Sequence, residues 1–324
     1  MRYQSISKLQ NSYWYSFSDE PVASLKGRLS KLSNPSFLLP EESPDGLWHL
    51  FADTYLGIEH YSSTSGLEWE RAHLLFPHAN SAFIYKEGST YYIVYETHHR
   101  KLFRKSEDDR RKTSKIMISS STDLSLWSQP KVILDSSSIK EAIFRDGNER
   151  LFSPQLVQWN GRYRLYFGAG EAVIYDSRVR AASSFMFAES DYIDGPYKVY
   201  QHPVFEIDRD SRYRNLAVGP VRIVPCSDGF AAVECAYSYS EENNRSESVM
   251  ILSLSSDGID FIDTRIIEWT PEEGWASRYI TNADLRYKES DDAWYCYFSA
   301  SADVKFFRFR LRKESIGLLL GRDR

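Results

Sequence analysis

The chain has 324 residues, 42% hydrophobic and 26% charged, which suits a folded globular protein and excludes a disordered one. A net charge of −5 gives no general attraction to nucleic acid or to an anionic membrane, and no apolar run approaches the roughly 20 residues that cross a bilayer. With 22 Tyr, 18 Phe and 8 Trp, the composition favours strands and suits sugar-binding surfaces.

Met1 to Lys8 lacks the apolar stretch of a secretory signal. Tyr13-Trp14-Tyr15-Ser16-Phe17 reads as a lone strand. A repeating unit then begins: a short apolar strand, a turn, a second strand dense in aromatics, and a third that ends in a Ser-rich hairpin. The first copy opens at Asn34-Pro35-Ser36-Phe37-Leu38-Leu39 and continues through Leu47 to Asp53. The second pairs Ser81 to Tyr85 with Tyr91 to Glu96. The third joins Ser153 to Val157 and Tyr163 to Phe167 through Asn160-Gly161. The fourth joins Gly219 to Val224 and Phe230 to Glu234 through Asp228-Gly229. The fifth pairs Asn282 to Tyr287 with Trp294 to Ser299.

Closing hairpins recur at Ser62 to Trp69, Ser119 to Trp127, Glu189 to Tyr197 and Ser253 to Phe261, with aromatic ends 58 to 70 residues apart. Gly, Asn and Asp supply the turn conformations that such hairpins need. Strands such as Tyr91 to Tyr95 are apolar on both sides, as where sheets stack face to face. Five units fill the chain, so the pattern predicts an all-β fold: one five-bladed β-propeller domain, 1–324, of mostly four-stranded blades. The Tyr13 strand is expected to close the ring against the last blade, beside Lys305 to Arg310. Trp48 and Trp294 read as core, whereas Trp14, Trp159, Trp269 and Trp275 read as exposed. Cys226, Cys235 and Cys296 lack metal-ligand spacing and lie in or beside apolar strands, which points to buried free thiols and a cytoplasmic location.

The unit formed by Ser153-Pro154, Asn160-Gly161, Tyr163-Arg164-Leu165-Tyr166-Phe167 and Ser120-Ser121-Thr122-Asp123-Leu124 resembles blades of the five-bladed glycoside hydrolases. These include family 43, the related families 32 and 68, and the mannoside phosphorylases of family 130. The resemblance implies a central funnel that binds carbohydrate and cleaves a glycosidic bond with carboxyl groups. The three family 43 carboxylates are not matched: Asn34-Pro35, Ser153-Pro154-Gln155 and Ala217-Val218-Gly219-Pro220 stand at their positions.

In such propellers first strands start, and second strands finish, on the funnel face. Second-strand ends offer Asp53, Glu96, Glu171 and Glu234 as catalytic candidates, with Glu96 and Glu234 foremost. Two carboxyl groups, one protonated and one ionised, suffice for inverting hydrolysis, and crowded like charges raise a carboxyl pKa. First-strand openings offer Asn34, Asn80, Ser153 and Asp284 as substrate contacts. The run Thr97-His98-His99-Arg100-Lys101 would hang over the same face, so His98, His99 and Arg100 join them as grips for an anionic group. Arg178, Arg180 and Arg286 are further contacts, with salt bridges an equal reading. Adjacent histidines project to opposite sides of a strand, so no metal is expected, and no motif calls for a cofactor. The expected partner is an oligosaccharide or glycoside. A non-catalytic sugar-binding propeller and a phosphate-using phosphorylase stay open as alternatives.

Overall fold

The computed structural model describes residues 3–27, 30–98, 113–139, 149–177, 179–271, 273–306 and 309–323. Five antiparallel sheets follow one another around a central channel. Blade 1 comprises Ser33–Leu38, Trp48–Asp53, Gly57–Ser63 and Glu70–Pro77, and blade 2 comprises Ala79–Glu87, Thr90–His98, Ser114–Ser121 and Lys131–Asp135. Blade 3 uses Leu151–Trp159, Arg162–Ala169 and Ser184–Ser190, with two short strands, Lys198–Val199 and Phe205–Glu206, at its outer edge. Blade 4 comprises Val221–Cys226, Gly229–Ser240, Arg245–Ser255 and Ile262–Trp269.

Blade 5 is made from both ends of the chain. Tyr279–Lys288, Ala293–Phe306 and Phe309–Arg322 pair in order, and Tyr13–Ser16 completes the sheet by pairing with Leu319 to Arg322. The expected closing strand is thus confirmed. Its neighbour differs from expectation: Lys305 pairs with Arg310 and Phe306 with Phe309, so the stretch read as one late strand is divided between two paired strands.

The two-sided apolar strands find partners on both sides. Tyr91, Ile93 and Tyr95 pack against Phe51 and Ile58 of blade 1, while Val94 packs against Leu151 and Leu165 of blade 3. The core is therefore a ring of inter-blade clusters. Trp48 and Trp294 belong to it. Trp14, Trp159 and Trp275 are half-buried against it rather than exposed, and the Trp269 side chain lies outside the described residues. The three cysteines are free and buried.

The Ser-rich hairpins share one local device. The hydroxyls of Ser63, Ser121 and Ser255 accept the backbone N–H three residues on, at Gly66, Leu124 and Gly258. These last residues all have positive φ, at 75°, 62° and 77°. Each turn is thereby fixed by its own side chain.

A belt of hydrogen bonds ties the first strands around the channel. In register, Ser36, Phe83, Gln155, Arg222 and Asp284 form one layer, paired respectively with Phe51, Val94, Tyr166, Val233 and Tyr297. Ser36 Oγ accepts from Ile84 N–H, Gln155 exchanges two bonds with Ile223, Arg222 donates to Ala283, and Asp284 accepts from Phe37 N–H. Four of the five layer residues thus carry the ring from one blade to the next.

Candidate functional site

Two residues above the belt, the first strands bulge. Asn34, Ser81 and Ser153 occupy equivalent positions in blades 1 to 3, with φ of 53°, 55° and 43°, each beside a register shift. Bulges of this kind re-aim side chains, and strained backbone gathers at binding sites. Here they open a funnel cavity of about 320 Å³, lined among others by Asn34, Asn80, Ser81, Glu96 and Ser153. Five of the expected site residues, Asn34, Asn80, Glu96, Ser153 and Arg180, therefore meet there, and Ser81 joins them.

Asp53 and Glu96 stand at matched second-strand positions, opposite Ser33 and Asn80. Ser81 links them. Its N–H donates to both Asp53 oxygens, at 2.9 and 3.0 Å, and its hydroxyl donates to Glu96 Oε1 at 3.0 Å. Asp53 is fully buried beneath the funnel, takes a 2.7 Å bond from Asn34 Nδ2 and lies 3.8 Å from Lys31 Nζ. Burial pushes its carboxyl up to about 6, and Glu96 pushes the same way against Lys31, Asn34 and Ser81.

An acid whose folded pKa exceeds its unfolded value of 3.8 contributes stability that is fully present below pH 3.8 and lost as pH rises through about 6. The loss amounts to about 3 kcal/mol for one group. Asp53→Asn is expected to erase that slope, read as the difference in urea-unfolding free energy between variant and wild type from pH 4 to 7. An unchanged slope would show that Asp53 is ionised throughout.

The other acids do not share this placement. By register, Gly168, Cys235 and Ser299 occupy the positions of Asp53 and Glu96 in blades 3, 4 and 5. Glu234 is one residue short of it, which turns its side chain to the opposite face of the strand. It packs toward blade 3, 0% exposed, where Arg214 grips it at 2.5 to 3.0 Å and also reaches Asp263. Burial raises the Glu234 carboxyl, yet the group does not line the funnel. A side chain at position 168 would meet Ala182 and Phe152, so blade 3 leaves no room for a carboxylate there. Glu171 lies beyond, before the small hairpin of Ala172–Ile174 and Val179–Ala181, with its carboxylate clasped by Arg150 at 3.3 Å and Arg180 at 2.5 Å.

Asp284 and Arg286 lie deeper than expected. Asp284 belongs to the belt, and Arg286 lies two residues beyond it, paired with Glu42 at 3.0 Å. Both border a separate cavity at the other end of the channel. His99, Arg100 and Arg178 lie outside the described residues, as does the His98 side chain.

Sequence reasoning missed Lys31, Arg150, Arg312 and Glu314, which also line the funnel with Arg180. Lys31 and Arg150 sit just before first strands, and Arg312 and Glu314 on the long third strand of blade 5, so no repeat marker signals them. The lining thus combines four cations with the carboxyl groups of Glu96 and Glu314. Among the described residues no cluster of His, Cys, Asp or Glu is suited to a metal ion.

Comparison with solved structures places this architecture. A family 117 glycoside hydrolase, Zg3597 of Zobellia galactanivorans, superposes with a TM-score of 0.60 at 11% identity, over 97% of this chain and 91% of its own. A GH62 hydrolase in complex with xylotriose gives 0.64 at 12%, over 95% and 97%. The chain has the fold of the five-bladed glycoside hydrolases. A GH43 endo-arabinanase from Bacillus licheniformis matches as well, with a TM-score of 0.53 at 13% identity over 91% and 96%. The sequence itself matches no protein-family model and no curated protein.

Proposed function

We propose that the funnel takes a carbohydrate bearing an anionic group and cleaves its glycosidic bond by hydrolysis with inversion. Glu96 is the proton donor to the leaving oxygen, and Glu314 is the carboxylate that activates water. The observation that carries this reading is the lining itself: two carboxyl groups from non-adjacent blades 2 and 5 face one cavity with Lys31, Arg150, Arg180 and Arg312. Two carboxyl groups across a sugar ring are the minimum for inversion. Guanidinium groups are the preferred partners of a carboxylate. Asp53, linked to Glu96 through Ser81, is a positioning residue. The similarity in fold to a hydrolase that binds xylotriose supports a saccharide as the occupant.

A second reading draws on Asn34. An amide stands where the resembled family has its base, and a phosphorolytic enzyme needs no such base because phosphate attacks directly. The same cations would then hold phosphate.

A panel of aryl glycosides, neutral and uronic, assayed with and without phosphate, separates the readings. Hydrolysis predicts aryl alcohol release from uronides without phosphate. Glu314→Gln is expected to lower kcat by about a hundredfold or more, with KM little changed. Release that requires phosphate selects phosphorolysis, and binding without release reduces the protein to a sugar-binding module.

A further inference from the structure

The channel has a second end. Beyond the belt, the first strands of blades 2 to 5 enclose a cavity of about 320 Å³ on the face opposite the funnel. Phe83, Leu156, Ile223, Leu285 and Trp294 give it apolar and aromatic walls. Its size is at the lower end of small-molecule sites.

Arg222 distinguishes this cavity from a packing defect. It is 6% exposed, and it crosses the channel from blade 4 to lay its guanidinium 4.6 Å from the centre of the Phe83 ring of blade 2. Its Nε donates to the Ala283 carbonyl and stands 3.2 Å from Asp284, while its two terminal nitrogens have no hydrogen-bond partner among the described residues. Two lining residues carry a further donor without an acceptor among the described residues: the indole N–H of Trp294, itself 3% exposed, and Nε of Arg286.

The acids bordering the cavity are already engaged. Asp284 accepts from Ser36 and Phe37, Glu42 from Leu39 and Arg286, and Glu87 from Tyr163 and Gln158. Only donors remain. Leaving the terminal nitrogens of a buried guanidinium without acceptors is costly, and buried polar groups in folded proteins are met as a rule. Burial already pulls the Arg222 pKa below its ordinary value, helped by Arg286 and opposed by Asp284. An acceptor-rich anion seated on the two terminal nitrogens would supply what the protein does not.

We propose that this cavity is a second ligand site, separate from the funnel, for a small carboxylate on an apolar ring. The carboxylate takes the fork of Arg222, and the ring lies among Phe83, Leu156 and Leu285. The site does not depend on any reading of the funnel.

Benzoate is the probe, with benzyl alcohol as its uncharged counterpart. Benzoate is expected to raise the melting temperature with increasing concentration, and benzyl alcohol to leave it unchanged. Arg222→Lys keeps a cation beside Asp284 but loses the fork, so its benzoate Kd should rise about tenfold or more. Gln158→Trp, which fills the cavity edge without touching Arg222, should weaken benzoate as well and decides the matter if Arg222→Lys fails to fold. Glu96→Gln, in the funnel, should bind benzoate as wild type does. No benzoate effect on the wild type, equal binding by both cavity variants, or loss confined to Glu96→Gln would each overturn the proposal.

Discussion

Asp284→Ala is expected to cost about 4 to 5 kcal/mol of folding stability, the largest loss of any substitution in the channel. The side chain is 2% exposed and serves four groups. Its carboxylate accepts from Ser36 Oγ at 3.1 Å, Phe37 N–H at 3.0 Å and Leu285 N–H at 3.0 Å, and lies 3.2 Å from the Arg222 guanidinium. Alanine leaves a buried cation and buried donors without acceptors. It also cuts the belt between blade 1 and blade 5, the sheet in which the two ends of the chain pair. Urea denaturation checks the figure. A loss below about 1 kcal/mol would mean that the belt contributes little to ring closure.

Glu234→Ala should cost about 3 kcal/mol, with no separate effect on turnover by the folded variant. Arg214 is 9% exposed and loses the carboxylate that holds it from three contacts, keeping only Asp263, which is 42% exposed in its side chain. Removing one member of a buried pair strands the other, whereas replacing both by apolar residues of similar size approaches neutrality. The double variant Arg214→Met with Glu234→Leu is therefore expected to recover most of the loss. Equal destabilisation by single and double variants would assign the cost to packing instead. A specific loss of kcat in a stable Glu234→Gln protein would return this residue to the chemistry.

The repeat survives translation into structure because its markers are local. Asn160-Gly161 turns with φ of 50° and 76°, and the Ser hairpins fix themselves through their own hydroxyls. Two-sided apolar strands such as Tyr91 to Tyr95 read as buried between blades because each side chain needs an apolar neighbour, whichever blade supplies it.

The site is less legible because it depends on register. A slip of one residue separates Glu234, which faces blade 3, from Cys235, which stands level with Glu96. Alternation along a strand makes that slip decisive. The fifth blade shows the same limit lengthwise. Its first strand begins at Tyr279, three residues before the Asn282 opening read from the sequence. Asn282 is level with Asn34 by register, so Asp284 lies about 7 Å and Arg286 about 13 Å farther down the channel at the usual strand rise. Lys31 and Arg150 escape notice for another reason. They precede first strands in stretches that carry no repeat, and only the closed ring brings them to the mouth.

Leaving-group dependence tests the role of Glu96 as proton donor most directly. A poor leaving group needs its proton in the transition state, whereas a dinitrophenolate departs without one. Measured on dinitrophenyl and alkyl uronides, Glu96→Gln is expected to keep most of the wild-type kcat on the first and lose about a hundredfold or more on the second. Equal losses on both substrates, or none on either, would contradict the role given to Glu96.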